Sequence, residues 1–146
     1  LNSKLVEFWL KNKGKMQGDN FQLDKEPLQQ IPIAVPSKEI QLLIAYLVEC
    51  IISLKKQSSH ISNLISNDYM ADGYEKIING CIYEIYLTEE MKKTGISVIP
   101  KLLEIKSSCQ NDIGELFLAV SNKGIIERID SLAYSVSDIL RTIILS

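Results

Sequence analysis

The sequence predicts a mainly α-helical fold: a helical bundle around one long helix, at about residues 37–66, after an N-terminal extended or loop segment with one candidate short strand. The first observation is periodicity, since apolar residues recur at three- and four-residue spacing over most of the chain after Ser37. The second is the placement of Gly and Pro residues, which separate the periodic stretches as helix breakers do. The third is composition: 146 residues, 46% hydrophobic and 23% charged, are typical of a folded domain with its own core.

The N-terminal segment is predicted to contain little regular structure after its first helix. Asn2–Lys11 shows a helical apolar face, and Lys11–Asn20 has the composition of an exposed, flexible, basic loop. Phe21–Leu23 is the candidate strand, and Asp24 then caps a single turn. In Ile31–Pro36 the larger apolar residues Ile31, Ile33 and Val35 alternate with Pro32, Ala34 and Pro36, so we expect an extended connector that lays its Ile and Val side chains on the core.

The long helix has the strongest signal in the chain. Ser37 is a suitable N-cap, and Glu39 lies in the first turn, where the helix dipole favours an acid. Its apolar stripe comprises Ile40, Leu43, Ile44, Leu47, Val48, Ile51 and Leu54. The stripe weakens at Lys55–His60 and resumes at Ile61, so we expect one helix to about Ser66. A coiled-coil seam and a bundle core both fit this stripe, and its 3.6-residue drift favours the core.

Shorter helices are predicted to pack on the long one. After a polar break at Asn67–Gly73, a helix capped by Asp72 returns antiparallel to it, with Gly80 at a close helix–helix approach. The remaining predicted helices are Thr88–Gly95, a pattern over 100–120 with a polar interruption at Lys106–Asp112, Ile125–Leu132, and a last helix from Ser137 or Asp138 to Ile144.

The chain carries the features of a cytoplasmic protein. Cys50, Cys81 and Cys109 are odd in number and form no CxxC motif, which predicts buried reduced thiols, with no disulfide and no zinc site. No apolar run approaches a membrane span, and no signal peptide is evident. Because the sequence opens with Leu1 directly into a helical pattern, we expect it to be part of a longer polypeptide.

Charge is unevenly spread along the chain. Residues 1–66 carry eight lysines and six acidic residues, a net charge of +2. Residues 67–146 carry eight basic and twelve acidic residues, a net charge of −4. An acidic surface repels phosphates, so any contact with DNA is expected towards the N-terminus.

Catalytic signatures are missing from the sequence. It contains no GxGxxG, P-loop, HExxH or GxSxG motif. His60, the only histidine, has no evident nucleophile or acid partner, and Glu89 and Glu90 are adjacent residues that face different directions on a helix. We therefore expect this chain to perform no chemistry by itself.

A basic, amide-rich stretch is the candidate DNA-binding region. Its lysines are suited to phosphates: Lys11, Lys13, Lys15 and Lys25. Its amides are suited to adenine edges: Gln17, Asn20 and Gln22. An ordinary solvated loop has the same composition, so the residues alone leave both interpretations open.

Three short motifs in order give the chain a family resemblance. WLKNKGKMQGDNFQLDKEPLQQIPI, residues 9–33, ends in a K-E-P-L…I-P-I run; Ser37–Gln41 and Leu47–Lys56 follow it, and then INGCIYEIYLTEE, residues 78–90. These segments resemble the closing part of the TaqI-like specificity domain of bacterial adenine-N6 DNA methyltransferases and fused type II restriction-modification enzymes. The resemblance covers about residues 1–95 and departs at Asn79-Gly80, where the family has an Asp.

The resemblance implies a non-catalytic role within a larger enzyme. Residues 1–36 would end the DNA target-recognition region, and residues 37–146 would form a C-terminal helical bundle. The partners implied are double-stranded DNA and an upstream methyltransferase domain, which would hold S-adenosylmethionine and the NPPY-type catalytic motif that this chain lacks. The alternative is an assembly module that mediates homodimerisation or contact with a restriction subunit, without touching DNA.

Overall fold

The computed structural model describes residues 2–13, 15–17, 20–22, 29–61 and 64–132. Helices dominate these residues, which confirms the mainly α fold. In chain order the elements are α1 (Lys4–Lys13), β1 (Lys15–Gln17), β2 (Asn20–Gln22), α2 (Lys38–Lys56), α3 (Asn67–Tyr86), α4 (Thr88–Thr94), α5 (Ile99–Ser108), α6 (Ile113–Asn122) and a helix over residues 125–132. The predicted last helix and the Asp24 turn lie outside the described residues.

The centre of the bundle is the antiparallel pair α2 and α3. The side chain of Asn67, at the start of α3, donates to the carbonyl of Leu54, near the end of α2. At the other end Tyr86, the last residue of α3, bonds to the segment that leads into α2. The core between and around the two helices includes Leu43, Leu47, Cys50, Leu54, Met70, Tyr74, Ile77 and Cys81. Most of the predicted α2 stripe therefore packs on the bundle core, but its Val48 is 41% exposed, which corrects the prediction at that position.

The expected continuation of the long helix to Ser66 is wrong, because α2 ends at Lys56. Beyond that residue the polar sequence offers no apolar side chain to bury until Ile61. The Asn67 side chain instead organises the turn: its amide donates to the Ser59 carbonyl at 3.0 Å, and its Oδ1 accepts from the Ile61 N–H at 3.0 Å. These hydrogen bonds favour a non-helical turn after Lys56 over a continuation of α2.

The predicted polar break at Asn67–Gly73 is also wrong, since these residues form the first turns of α3. Ser66 is the N-cap, and its hydroxyl accepts a hydrogen bond from the Tyr69 N–H at 3.2 Å. Met70 and Ala71 are buried there. Asp72, the predicted cap, is exposed within the helix. An apolar face this sparse is hard to detect from periodicity alone.

The proline-flanked connector before α2 follows the prediction in its extended backbone but not in its burial. Ile31 is buried, whereas Ile33 is 73% exposed and Val35 is 82% exposed. The connector is held by its backbone: the Tyr86 hydroxyl donates to the Pro32 carbonyl at 2.9 Å and accepts from the Ala34 N–H at 3.0 Å. A backbone clamp fixes the chain without needing the Ile33 and Val35 side chains.

Close packing surrounds Gly80, as predicted. A Cβ added at Gly80 would lie 2.6 Å from Cδ1 of Ile129, in the 125–132 helix. The absence of a side chain therefore lets that helix approach α3. Gly95 and Gly124 end their helices with positive φ angles of 72° and 67°, the conformation that favours glycine at a helix C-terminus.

The predicted pattern over 100–120 forms two helices. α5 ends at Ser108, and Gln110 and Asn111 then adopt left-handed φ angles of 43° and 64°. The Asp112 side chain caps α6 by accepting from the Glu115 N–H at 2.8 Å. The polar interruption in the sequence thus corresponds to a turn with its own cap.

The N-terminus of α5 is capped by a distant carboxylate. Oε2 of Glu84, in α3, accepts from the N–H groups of Val98 at 3.0 Å and Ile99 at 2.7 Å. We expect Glu84→Ala to lower the free energy of unfolding by about 1–3 kcal/mol, because both donors lose their partner. Urea denaturation measures this, with Glu104→Ala on exposed α5 surface as the control. Equal losses in the two variants would contradict the capping role.

Candidate nucleic-acid interface

The N-terminal hairpin aligns the candidate DNA-binding residues. Strands β1 and β2 are antiparallel, with Lys15 opposite Gln22, Gln17 opposite Asn20, and the Met16–Phe21 pair between them. Directly opposed residues occupy the same face of a sheet, and faces alternate along each strand. Four of the predicted residues therefore share one face of the hairpin: Lys15, Gln17, Asn20 and Gln22.

This hairpin corrects the prediction of a flexible loop over Lys11–Asn20. A Gly18-Asp19 dipeptide separates the two strands, and two-residue Gly-X connections are typical of tight hairpins. That sequence signal was available, but three-residue strands are too short for alternation to stand out. The candidate strand at Phe21–Leu23 corresponds to β2, shifted by one residue.

Helix α1 joins this hairpin to the bundle. Its N-terminus is held by the Lys4 N–H, which donates to Oδ1 of Asn79 in α3 at 2.9 Å. Its buried side chains, Val6 and Leu10, cluster with Ile31 of the connector. Lys11 and Lys13 lie in its last turn, and only residue 14 separates the helix from β1. Lys11 and Lys13 therefore directly precede the hairpin in the chain.

Lys11 belongs to a small exposed ion network. Its Nζ lies 2.7 Å from Oε1 of Glu7, and the Nζ of Lys4 lies 3.0 Å from Oε2 of the same carboxylate. The hydrogen bonds from Lys11 and Lys4 lower the pKa of Glu7. Exposed ion pairs contribute little free energy, so Lys11 is able to exchange Glu7 for a phosphate at small cost.

The charges of the bundle contrast with those of the hairpin region. Residues 11–22 carry three lysines and one acid, Asp19, whereas residues 67–132 carry seven basic and eleven acidic residues. A polyanion would therefore be attracted to the former and repelled by the latter. Lys25, the seventh predicted contact, lies outside the described residues.

The cysteines are free and buried, as predicted. Burial raises the pKa of the Cys81 thiol to about 12, and burial also raises the pKa of the Cys50 thiol. Because the thiolate is the nucleophile, both side chains are poor nucleophiles at neutral pH. His60 is exposed. In the described ranges, no group of three or more His, Cys, Asp and Glu residues is arranged to hold a metal ion.

An open groove lies between α1, α2 and α3, and no pattern in the sequence indicates it. It has a volume of about 760 Å³ and is lined mainly by apolar side chains, including Ile44, Val48 and Ile82. Its polar residues include Glu75 and Asn79, and Asn79 is already bonded to the Lys4 backbone.

Comparisons with known proteins found no matching family model, curated protein or solved structure. Among the helices described, none has the length and apolar character needed to cross a membrane.

Proposed function

We propose that this chain is a non-catalytic DNA-contacting module, the end of the target-recognition region of an adenine-N6 DNA methyltransferase or fused restriction-modification enzyme. The observation that carries the DNA-contacting role is the hairpin register, which puts one lysine and three amide residues on a single face. The methyltransferase assignment rests on the sequence resemblance over residues 1–95. S-adenosylmethionine would bind in the upstream domain, and we assign none of the present residues to it.

The size of a two-stranded hairpin supports the proposal. The major groove of B-DNA, about 12 Å wide, admits a two-stranded β-ribbon. In the proposed complex Gln17, Asn20 and Gln22 read base edges, since amide side chains match the donor and acceptor pattern of adenine. Lys11, Lys13 and Lys15 contact phosphates and set the register of the module on the duplex.

Removing these lysines tests the proposal. We expect the variant Lys11→Ala/Lys13→Ala/Lys15→Ala to bind duplex DNA more weakly and with a shallower salt dependence. Each lost phosphate contact reduces the magnitude of the negative slope of log K against log salt concentration by about 0.9. Three lost contacts therefore reduce it by about 2.7. Fluorescence anisotropy of a labelled duplex, titrated at several salt concentrations, gives both quantities.

A matched control removes three lysines from the acidic half. Lys92→Ala/Lys93→Ala/Lys123→Ala changes the net charge equally, and all three of its lysines are exposed. It should leave the salt slope close to that of the unmodified chain. If both triple variants lose the same slope, binding follows net charge alone and the hairpin is not the contact surface.

The proposal places the protein in the bacterial cytoplasm, where DNA is accessible and buried thiols such as Cys50 and Cys81 stay reduced. The bundle braces α1 and the hairpin, while its acidic surface turns away from the duplex. The assembly-module alternative is supported by a different surface, the exposed side of α2.

A further inference from the structure

Two lysines of α1 are held by the two oxygens of one carboxylate. Nζ of Lys4 lies 3.0 Å from Oε2 of Glu7, and Nζ of Lys11 lies 2.7 Å from Oε1 of the same residue. Because these residues are three and four apart, they follow one another along one face of the helix. The side chains of Lys4 and Lys11 are 62% and 46% exposed, so both ammonium groups are accessible to a ligand.

We infer that Glu7 is an internal competitor for DNA phosphates, and that Lys4 becomes a phosphate contact when DNA displaces this carboxylate. A phosphodiester resembles a carboxylate in carrying one negative charge and acceptor oxygens, so it can replace Glu7 as the partner of either lysine. The inference rests on the proposed DNA contact. It adds to that contact one residue that binds, Lys4, and one that opposes binding, Glu7.

The strength of the ion pairs makes the exchange feasible. Exposed pairs contribute little free energy because water screens them, whereas a lysine that neutralises a DNA phosphate also releases counterions. The hydrogen bond to Glu7 is the main cause that raises the pKa of Lys4, and the charge of Glu75 in α3 adds to it. Among the described residues Glu75 forms no ion pair with Lys4, so Glu7 is the acid that the phosphate must displace.

The position of Lys4 extends the candidate interface along α1, away from the hairpin. Lys4 precedes Lys11 by seven residues, which is about 10 Å of helix. Since one strand of B-DNA carries a phosphate every 3.4 Å or so of its axis, about three phosphates occupy that length. A DNA backbone that runs beside α1 therefore offers separate phosphates to the two lysines.

Neutralising Glu7 tests its role as a competitor. We expect Glu7→Gln to lower the dissociation constant for duplex DNA about fivefold at low salt, because Lys4 and Lys11 no longer have to leave a carboxylate. Glu89→Gln in α4 is the matched control: it removes the same charge, and its carboxylate also pairs with a lysine three residues away, Lys92 at 3.2 Å. It should change the dissociation constant less than about twofold.

Removing lysines tests the added contact and its link to Glu7. Lys4→Ala should reduce the magnitude of the negative slope of log K against log salt concentration by about 0.9, whereas Lys92→Ala should leave the slope unchanged. In a Lys4→Ala/Lys11→Ala background, Glu7→Gln should gain no more affinity than Glu89→Gln does, because Glu7 then has no lysine to hold. Fluorescence anisotropy of a labelled duplex measures all of these variants.

The outcomes separate this inference from the proposed function. Equal gains for Glu7→Gln and Glu89→Gln would show an effect of net charge alone and overturn the role of Glu7. An unchanged salt slope for Lys4→Ala would overturn the role of Lys4. If the triple lysine variant of the hairpin region binds DNA as well as the unmodified chain, the proposed function fails. If that variant is weakened while the Glu7 and Lys4 variants have no effect, only the present inference fails.

Discussion

Leu47→Ala should lower the free energy of unfolding by about 2–5 kcal/mol, enough to unfold much of a marginally stable domain. Leu47 lies in the middle of α2, is completely buried and belongs to the core shared with α3. Truncation removes the transfer free energy of three carbons and leaves a cavity that neighbouring helices fill only partly. Urea denaturation followed by far-UV circular dichroism measures the loss.

Leu118→Ala provides the control for this substitution. It is the same change on a helix surface, where the leucine is 40% exposed. It should cost less than about 1 kcal/mol, since little of the side chain leaves a packed environment. Similar losses at the two positions would mean that α2 is not the centre of the core.

Gly73→Ala should destabilise the chain by about 1–3 kcal/mol, although alanine is the better helix former. A Cβ at Gly73 would overlap the ring of Phe117 in α6. That ring is buried between Tyr69 and Tyr74, with ring centroids at 6.0 and 5.8 Å, so it has little room to move. The steric cost therefore exceeds the gain in helix propensity of about 1 kcal/mol.

Gly114→Ala is the matched control within α6. The nearest atoms to a Cβ at Gly114 are Oδ1 of Asp112 at 3.5 Å and Cγ2 of Ile61 at 3.9 Å, ordinary contact distances. This variant should be neutral or stabilised by up to about 1 kcal/mol. Thermal denaturation of Gly73→Ala and Gly114→Ala measures the change in stability of each variant. A Gly73→Ala variant that is more stable than the unmodified chain would contradict the close approach of α3 and α6.

Local signals predicted the parts of the fold that depend on local chemistry. Ser37 caps α2 as expected, with its hydroxyl accepting from the Ile40 N–H at 3.4 Å, and Gly95 and Gly124 end their helices. The end of α2 was missed because it depends on a contact from Asn67, eleven residues later. The exposure of Ile33 was missed because the Tyr86 clamp comes from a helix more than fifty residues away.

The candidate interface also combines features that the sequence predicts with features that depend on the structure. Composition suggests the lysines and amides between Lys11 and Gln22 as DNA contacts, because charge and hydrogen-bonding chemistry can be inferred from residue type, and their role stays a prediction. Their common face depends on strand register, which a one-residue shift would reverse. The exposure of Val48 and Ile52 cannot be read from the sequence, because it shows one apolar helix and not which of its apolar side chains the bundle covers.

Mapping the DNA contact residue by residue tests the central claim most directly. Amide chemical shifts of the isotope-labelled chain, followed by NMR as duplex DNA is added at low salt, report which segment meets the nucleic acid. The account predicts shift changes concentrated at residues 11–22, with α4, α5 and α6 unaffected. Changes centred on the acidic helices, or no changes at all, would contradict it.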